Sequence, residues 1–113
     1  MVFVRTGNLN VSALRAAWHG AALPDPADEL RALADWKARG FRAVEDYVSW
    51  AVAEPRPGRW DFSRHRAAAD AARAAGLDYW VFLWLHVSPP WFRAPDFRSE
   101  GDSTPAWVPM RCV

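Results

Sequence analysis

Several things are scarce in this chain of 113 residues. It has a single cysteine, Cys112, so no internal disulfide framework exists. Lys37 is the sole lysine, and arginine carries nearly all the basic charge. Fourteen basic residues against thirteen acidic ones leave a net charge of +1, which is no field for gathering nucleic acid. No apolar run reaches the roughly 18 residues a bilayer span needs. Residues Met1 to Asn10 lack the basic-then-apolar pattern of a secretory leader. Neither nucleic acid nor membrane is therefore expected as a partner, and a cytoplasmic location is the expectation. Both glycine-rich phosphate-loop patterns, G-x-G-x-x-G and G-x-x-x-x-G-K-[ST], are missing. Disorder is not indicated either: 51% apolar and 24% charged are ordinary globular values.

Tryptophan is in excess, with eight indoles in 113 residues. Their positions depend on the order of elements. Ala13 to Gly20 mixes small and apolar residues and reads as a short strand. Asp25 then suits an N-cap, Pro26 the first helical position, and Asp28 with Glu29 the positive end of the helix dipole. Leu30, Leu33, Ala34 and Trp36 give that helix an apolar stripe, and Gly40 suits a left-handed C-cap. Phe41 to Trp50 reads as a strand. Glu54-Pro55-Arg56-Pro57-Gly58 reads as a loop, because prolines so placed exclude helix and central strand. Ser63 is expected to cap a second, Ala-rich helix running to about Ala75 and closed by Gly76. Leu77 to Leu85 follows as a nearly unbroken apolar run, expected to be a strand buried on both faces. Three prolines beyond it (Pro95, Pro105, Pro109) suggest irregular chain.

Strand, helix, strand, helix, strand is the rhythm of a parallel α/β sheet. The helix-to-strand connections are minimal, and the strand-to-helix loops are long and carry Trp, His, Pro and Glu. That asymmetry points to a (β/α)₈ barrel, whose functional loops follow the strands. A doubly wound sheet shares the rhythm but ranks second without a phosphate loop. Such barrels take about 250 residues. Residues 1–113 are accordingly expected to be an incomplete, N-terminal portion of a catalytic barrel, about three of its βα units. A compact flavodoxin-like miniature is the alternative.

The stretch Val44-Glu45-Asp46-Tyr47-Val48-Ser49-Trp50, followed by Glu54-Pro55-Arg56-Pro57-Gly58-Arg59-Trp60-Asp61-Phe62-Ser63, resembles the second strand and following loop of glycoside hydrolase family 35. That family shows V-E-T-Y-V-x-W and then H-E-P-x-P-G-x-[FY]-D-F-S; here Asp46 replaces Thr and Ala53 replaces His. Further on, Ser88-Pro89-Pro90-Trp91-Phe92 is similar to family 42, where Pro-Pro-x-Trp-[LF] follows the third strand, and the family 35 Pro-Gly-Pro-Tyr segment is absent. The resemblance runs roughly from Leu30 to Leu85 for family 35. It implies a retaining, β-galactosidase-like hydrolase. Its two catalytic carboxylates would stand at the ends of the fourth and seventh strands, about 5–5.5 Å apart and beyond this chain. No catalytic residue is assigned here for that reason, and the chain alone is expected to be inactive. DNA downstream is expected to encode an Asn-Glu pair and a later strand-end Glu.

Four residues are expected to bind substrate. Tyr47 matches the family 35 tyrosine that hydrogen-bonds the galactosyl unit. His86 stands at the end of the third strand, where a barrel aims side chains into its pocket. Trp84 and Trp91 offer indole faces on which the axial C–H bonds of a pyranose can lie, as does Trp50, although packing is the commoner work of tryptophan. Glu54 is read as a turn residue rather than a catalytic acid. Glu45 shares the face of Tyr47, and Asp46 points to the opposite face. No cofactor is expected. Cys112 falls near a zinc-binding cysteine of family 42, but lacks nearby Cys or His partners for a four-ligand site. The expected partner is a carbohydrate, a β-galactoside or related glycoside. The alternatives are a non-catalytic carbohydrate-binding module using exposed Trp residues, and a structural or degenerate protein without ligand.

Overall fold

The computed structural model describes residues 4–85 and 87–92. His86, Trp107 and Cys112 lie outside the described residues. The elements are β1 (Thr6–Leu9), α1 (Val11–Trp18), α2 (Ala27–Arg31), α3 (Leu33–Ala38), β2 (Ala43–Ser49), α4 (Trp50–Ala53), α5 (Ser63–Ala74) and β3 (Asp78–Trp84). The strands form one parallel sheet in the order β1-β2-β3. Thr6 is level with Ala43, and Ala43 with Asp78. The parallel α/β architecture therefore holds.

The first strand lies earlier than the sequence suggests. Ala13 to Gly20 is not a strand: most of it belongs to helix α1. Ala has the highest helix propensity, and Ala13 and Ala17, four residues apart, share a buried helix face. They pack with Ala51, Val52 and Val87 in a small apolar cluster that Trp18 and Trp84 flank. Strand β1 is Thr-Gly-Asn-Leu, too polar to signal itself. Gly7 is there for a reason of space. A Cβ on it would stand 2.4 Å from Cζ3 of Trp36, so the indole lies on the strand backbone.

The expected first helix is two short ones that meet at Ala32. Asp25 does cap its start, since Asp25 Oδ1 accepts from Ala27 N–H at 2.9 Å. Gly40 and Gly76 close the helices before β2 and β3 at φ of 88° and 74°, which glycine adopts without a Cβ penalty. The second cap differs from expectation. Ser63 is the first residue of α5, and Asp61 Oδ1 accepts the Ser63 N–H at 2.9 Å. A carboxylate two residues earlier satisfies the orphan amide as well as a hydroxyl would. Ser63 holds the Asp61 carboxyl below its ordinary range through those hydrogen bonds.

One face of the sheet is covered and the other is open. Leu9, Val44, Leu33, Ala68, Ala72 and Leu77 form the main core. Trp36 and Phe41 stack beside it with centroids 5.6 Å apart. β3 is not buried on both faces as its composition suggests. Trp80, Val81, Phe82 and Leu83 are 43–60% exposed. β3 is an edge among the described residues, and no described helix packs over Val81 and Leu83. An apolar run records what a strand can bury, not what lies beside it.

Candidate functional site

Alternation along the strands assigns the faces. Val44, Asp46 and Val48 look toward the helices, and Glu45 and Tyr47 look the other way. The register adds Trp80, Phe82 and Trp84 of β3 to the second face, level with Glu45, Tyr47 and Ser49. There Tyr47 is flanked by two rings. Its centroid is 5.7 Å from Phe82 and 5.4 Å from Trp84, at interplanar angles of 48° and 34°. Phe82 and Trp84 are 6.0 Å apart. The three rings make a half-open aromatic wall toward the C-terminal ends of β2 and β3. At the other edge Thr6 Oγ1 donates to Glu45 Oε1 at 3.4 Å.

Trp91 belongs to a second aromatic cluster, built over α4. Trp50 meets it edge-on at 5.9 Å and meets Phe92 at 4.7 Å. Glu54, 8% exposed, ties this cluster together. Its Oε2 accepts from Trp50 Nε1–H at 2.6 Å, its Oε1 from Gly58 N–H at 2.8 Å, and its carbonyl from Trp91 Nε1–H at 2.9 Å. Both carboxylate oxygens accept hydrogen bonds within the turn, in keeping with the reading of Glu54 as a turn residue. Of the four expected binding residues, Tyr47 and Trp84 come together. Trp91 stands with Trp50 and Glu54, and His86 is outside the described residues.

Behind the wall, on the helix-facing side, is a buried polar cluster that sequence reasoning did not assemble. Asp46 is fully buried. Its Oδ1 accepts from Asn10 Nδ2 at 2.6 Å, and its Oδ2 from Tyr79 Oη at 2.5 Å and from His65 Nδ1 at 2.9 Å. A carboxylate only accepts, so the network places the histidine proton on Nδ1. His65 Nε2 is buried and has no hydrogen-bond partner among the described residues. Arg64 donates to Asn10 Oδ1 at 3.3 Å. Asn10 itself is left-handed at φ 62°, and its N–H donates to Glu29 Oε2 at 2.8 Å. Partial burial, and then the Asp46 carboxylate, push the Tyr79 phenol well above the ordinary tyrosine range. The cluster joins the end of β1 to β2, β3 and α5. Its side chains face away from the aromatic wall. The one signal for it in the sequence was Asp46, a carboxylate in mid-strand on the face opposite Tyr47.

Among the described residues no group of three or more His, Cys, Asp or Glu is placed to hold a metal ion. No helix among them is long and apolar enough to cross a membrane.

No family model matches the chain, and no curated protein matches it. Among solved structures, the exo-beta-1,4-mannosidase Op5Man5 from Opitutaceae bacterium strain TAV5 is similar. It shares 30% identity at a TM-score of 0.55 over 79% of this chain and 17% of that one. The chain thus spans about a sixth of the length of the enzyme it matches. The described residues have the fold of part of a (β/α)₈-barrel glycoside hydrolase, three parallel strands with their helices on one face.

Proposed function

We propose that this chain is part of a glycoside hydrolase and contributes a sugar-facing wall to its pocket. The observation that carries the reading is the Tyr47–Phe82–Trp84 cluster on the helix-free face, toward the strand C-terminal ends. In a (β/α)₈ barrel this face lines the interior and this end holds the active site. Aromatic faces there offer a pyranose apolar surface for its C–H bonds, and the Tyr47 phenol adds a donor and an acceptor for a hydroxyl. Trp91 would border the same mouth. The similarity to a mannosidase supports the class of chemistry, a glycosidic bond as the target.

Sugar identity is the finer part of the proposal. The Val44–Trp50 and Glu54–Ser63 motifs favour a β-galactoside, whereas the similar solved enzyme acts, by its name, on β-1,4-mannosides. The family 35 resemblance assigns the acid–base and nucleophile roles to none of the described residues. Glu54 is committed to its turn, and Asp46 is sealed behind the sheet.

Titration of the chain with methyl β-galactoside and methyl β-mannoside, followed by tryptophan fluorescence, tests this. Binding of one of the two glycosides is expected, weakened about fivefold by Tyr47→Phe through loss of one hydrogen bond. Loss on Trp84→Ala with an unchanged circular dichroism spectrum would place the sugar on the wall. No response to either glycoside would sink the reading. Binding that depends on Trp60 but not on Tyr47 or Trp84 would favour a surface carbohydrate-binding module.

A further inference from the structure

Asn10 is the one non-glycine residue in the left-handed region among the described residues, at φ 62° and ψ 19°. Asparagine reaches that region more readily than most residues, but still at a cost. Such a backbone persists where its surroundings over-determine it, and Asn10 is tied at three points. Glu29 Oε2 accepts its N–H, Asp46 Oδ1 accepts from its Nδ2 at 2.6 Å, and Arg64 donates to its Oδ1 at 3.3 Å. Its place at the start of α1 calls for a different use. An asparagine there ordinarily turns its side chain onto the first amides of the helix, yet the Asn10 side chain makes no cap bond. Glu29 serves that end instead, since its Oε1 accepts from Ser12 Oγ at 2.5 Å. A local cap is thus given up for a long-range tie between the exit of β1 and the middle of β2.

That tie fixes α1. Ala13 and Ala17 pack with Ala51, Val52 and Val87, and Trp84 flanks the same cluster. Val87 N–H also donates to the Trp84 carbonyl at 3.3 Å, and the Val87 carbonyl accepts from Ala51 N–H at 3.0 Å. α1 is therefore part of the seat of Trp84, and Trp84 is one ring of the wall beside Tyr47. With eight residues, α1 is too short to be stable by itself, so the turn at Asn10 sets where it lies. We propose that Asn10 is a positioning residue: its buried amide, held by Asp46 and Arg64, fixes the turn from β1 into α1 and, through α1, the place of Trp84 in the aromatic wall. What the wall receives rests on the glycoside reading; the path from Asn10 to Trp84 does not.

Fluorine NMR of the full chain labelled with 5-fluorotryptophan reads each indole separately, and Trp84→Phe and Trp60→Phe assign two of the eight resonances. Asn10→Ala removes the amide and raises the left-handed penalty, whereas Asn10→Gly removes the amide and the penalty together. Asn10→Gly is accordingly expected to melt at a higher temperature than Asn10→Ala. In both, the Trp84 resonance is expected to move by more than its own width while that of the exposed Trp60 stays. Affinity for the preferred methyl glycoside is expected to fall about fivefold in both. A Trp84 resonance that stays in place in both variants would make Asn10 a stabilising residue only and overturn the proposal. So would one that moves in Asn10→Ala and returns in Asn10→Gly, since the backbone angle and not the amide would then hold the seat. Should neither variant fold, Arg64→Ala releases Asn10 Oδ1 with Asn10 still in place; a displaced Trp84 resonance there supports the proposal and an unmoved one overturns it. Unchanged affinity beside a displaced Trp84 would overturn it too, and leave the glycoside reading in place. If the wild-type chain binds neither glycoside, a displaced Trp84 still supports the positioning, and the glycoside reading alone is lost.

Discussion

Gly7 and Asp46 show what a single residue decides here. A methyl group at Gly7 would fall inside the contact distance of Trp36. The indole sits between α3 and the sheet, where it cannot move without repacking Phe41. Gly7→Ala is therefore expected to cost about 1–3 kcal/mol, as overpacking does. Trp36→Leu, which removes the obstructing ring, is expected to abolish the extra cost of the alanine in a double-mutant cycle read by urea denaturation. Asp46 acts through charge rather than volume. Asp46→Ala leaves the donors of Asn10, Tyr79 and His65 without their shared acceptor in a dry site, at an expected cost of about 3–5 kcal/mol. The Tyr79 phenol carries a pH signature of the same site. Its folded pKa is raised, so the fold favours the neutral phenol. That contribution is complete below about pH 10, the unfolded value, and is lost as pH rises above it. Phenolate absorbance in Tyr47→Phe protein, where Tyr79 is the remaining tyrosine, is expected to rise later than in the unfolded chain. Coincident curves would show that the phenol does not feel the buried carboxylate.

At the scale of elements, the chain was legible where local chemistry sets structure. Gly40 and Gly76 each close a helix immediately before a strand, and the βαβαβ order follows from them. The Glu54–Gly58 turn was legible for the same reason, its prolines excluding regular structure. β1 was not, because Thr-Gly-Asn-Leu carries no alternation and takes its place from pairing with β2. Alternation separated Asp46 from Tyr47, yet it did not reveal Asn10, His65 and Tyr79 as partners, 19 to 36 positions away. Distance in sequence hides such a cluster, since no local rule links a helix histidine to a strand carboxylate. The turn after α4 supplies an element-scale prediction. Glu54→Gln keeps one carbonyl acceptor but turns an amide donor toward a second N–H. It is expected to cost about 1–2 kcal/mol and to speed amide hydrogen exchange at Gly58, leaving β2 unchanged. Equal exchange in variant and wild type would mean that the carboxylate does not hold the turn.

Among the described residues the sheet is asymmetric: one face is packed with helices, and β3 is largely exposed. Leu33 and Leu83 sample the two environments. Leu33 is buried in the main core, and Leu83 is 60% exposed on β3. Leu33→Ala removes packed methyl groups and is expected to cost about 2–5 kcal/mol at any protein concentration. Leu83→Ala removes a side chain that is already largely in water in the single chain, and in dilute solution is expected to cost about 1 kcal/mol or less. The loss of thermal midpoint is therefore expected to be severalfold larger for Leu33→Ala than for Leu83→Ala. Equal losses would mean that the Leu83 side chain is packed as fully as that of Leu33.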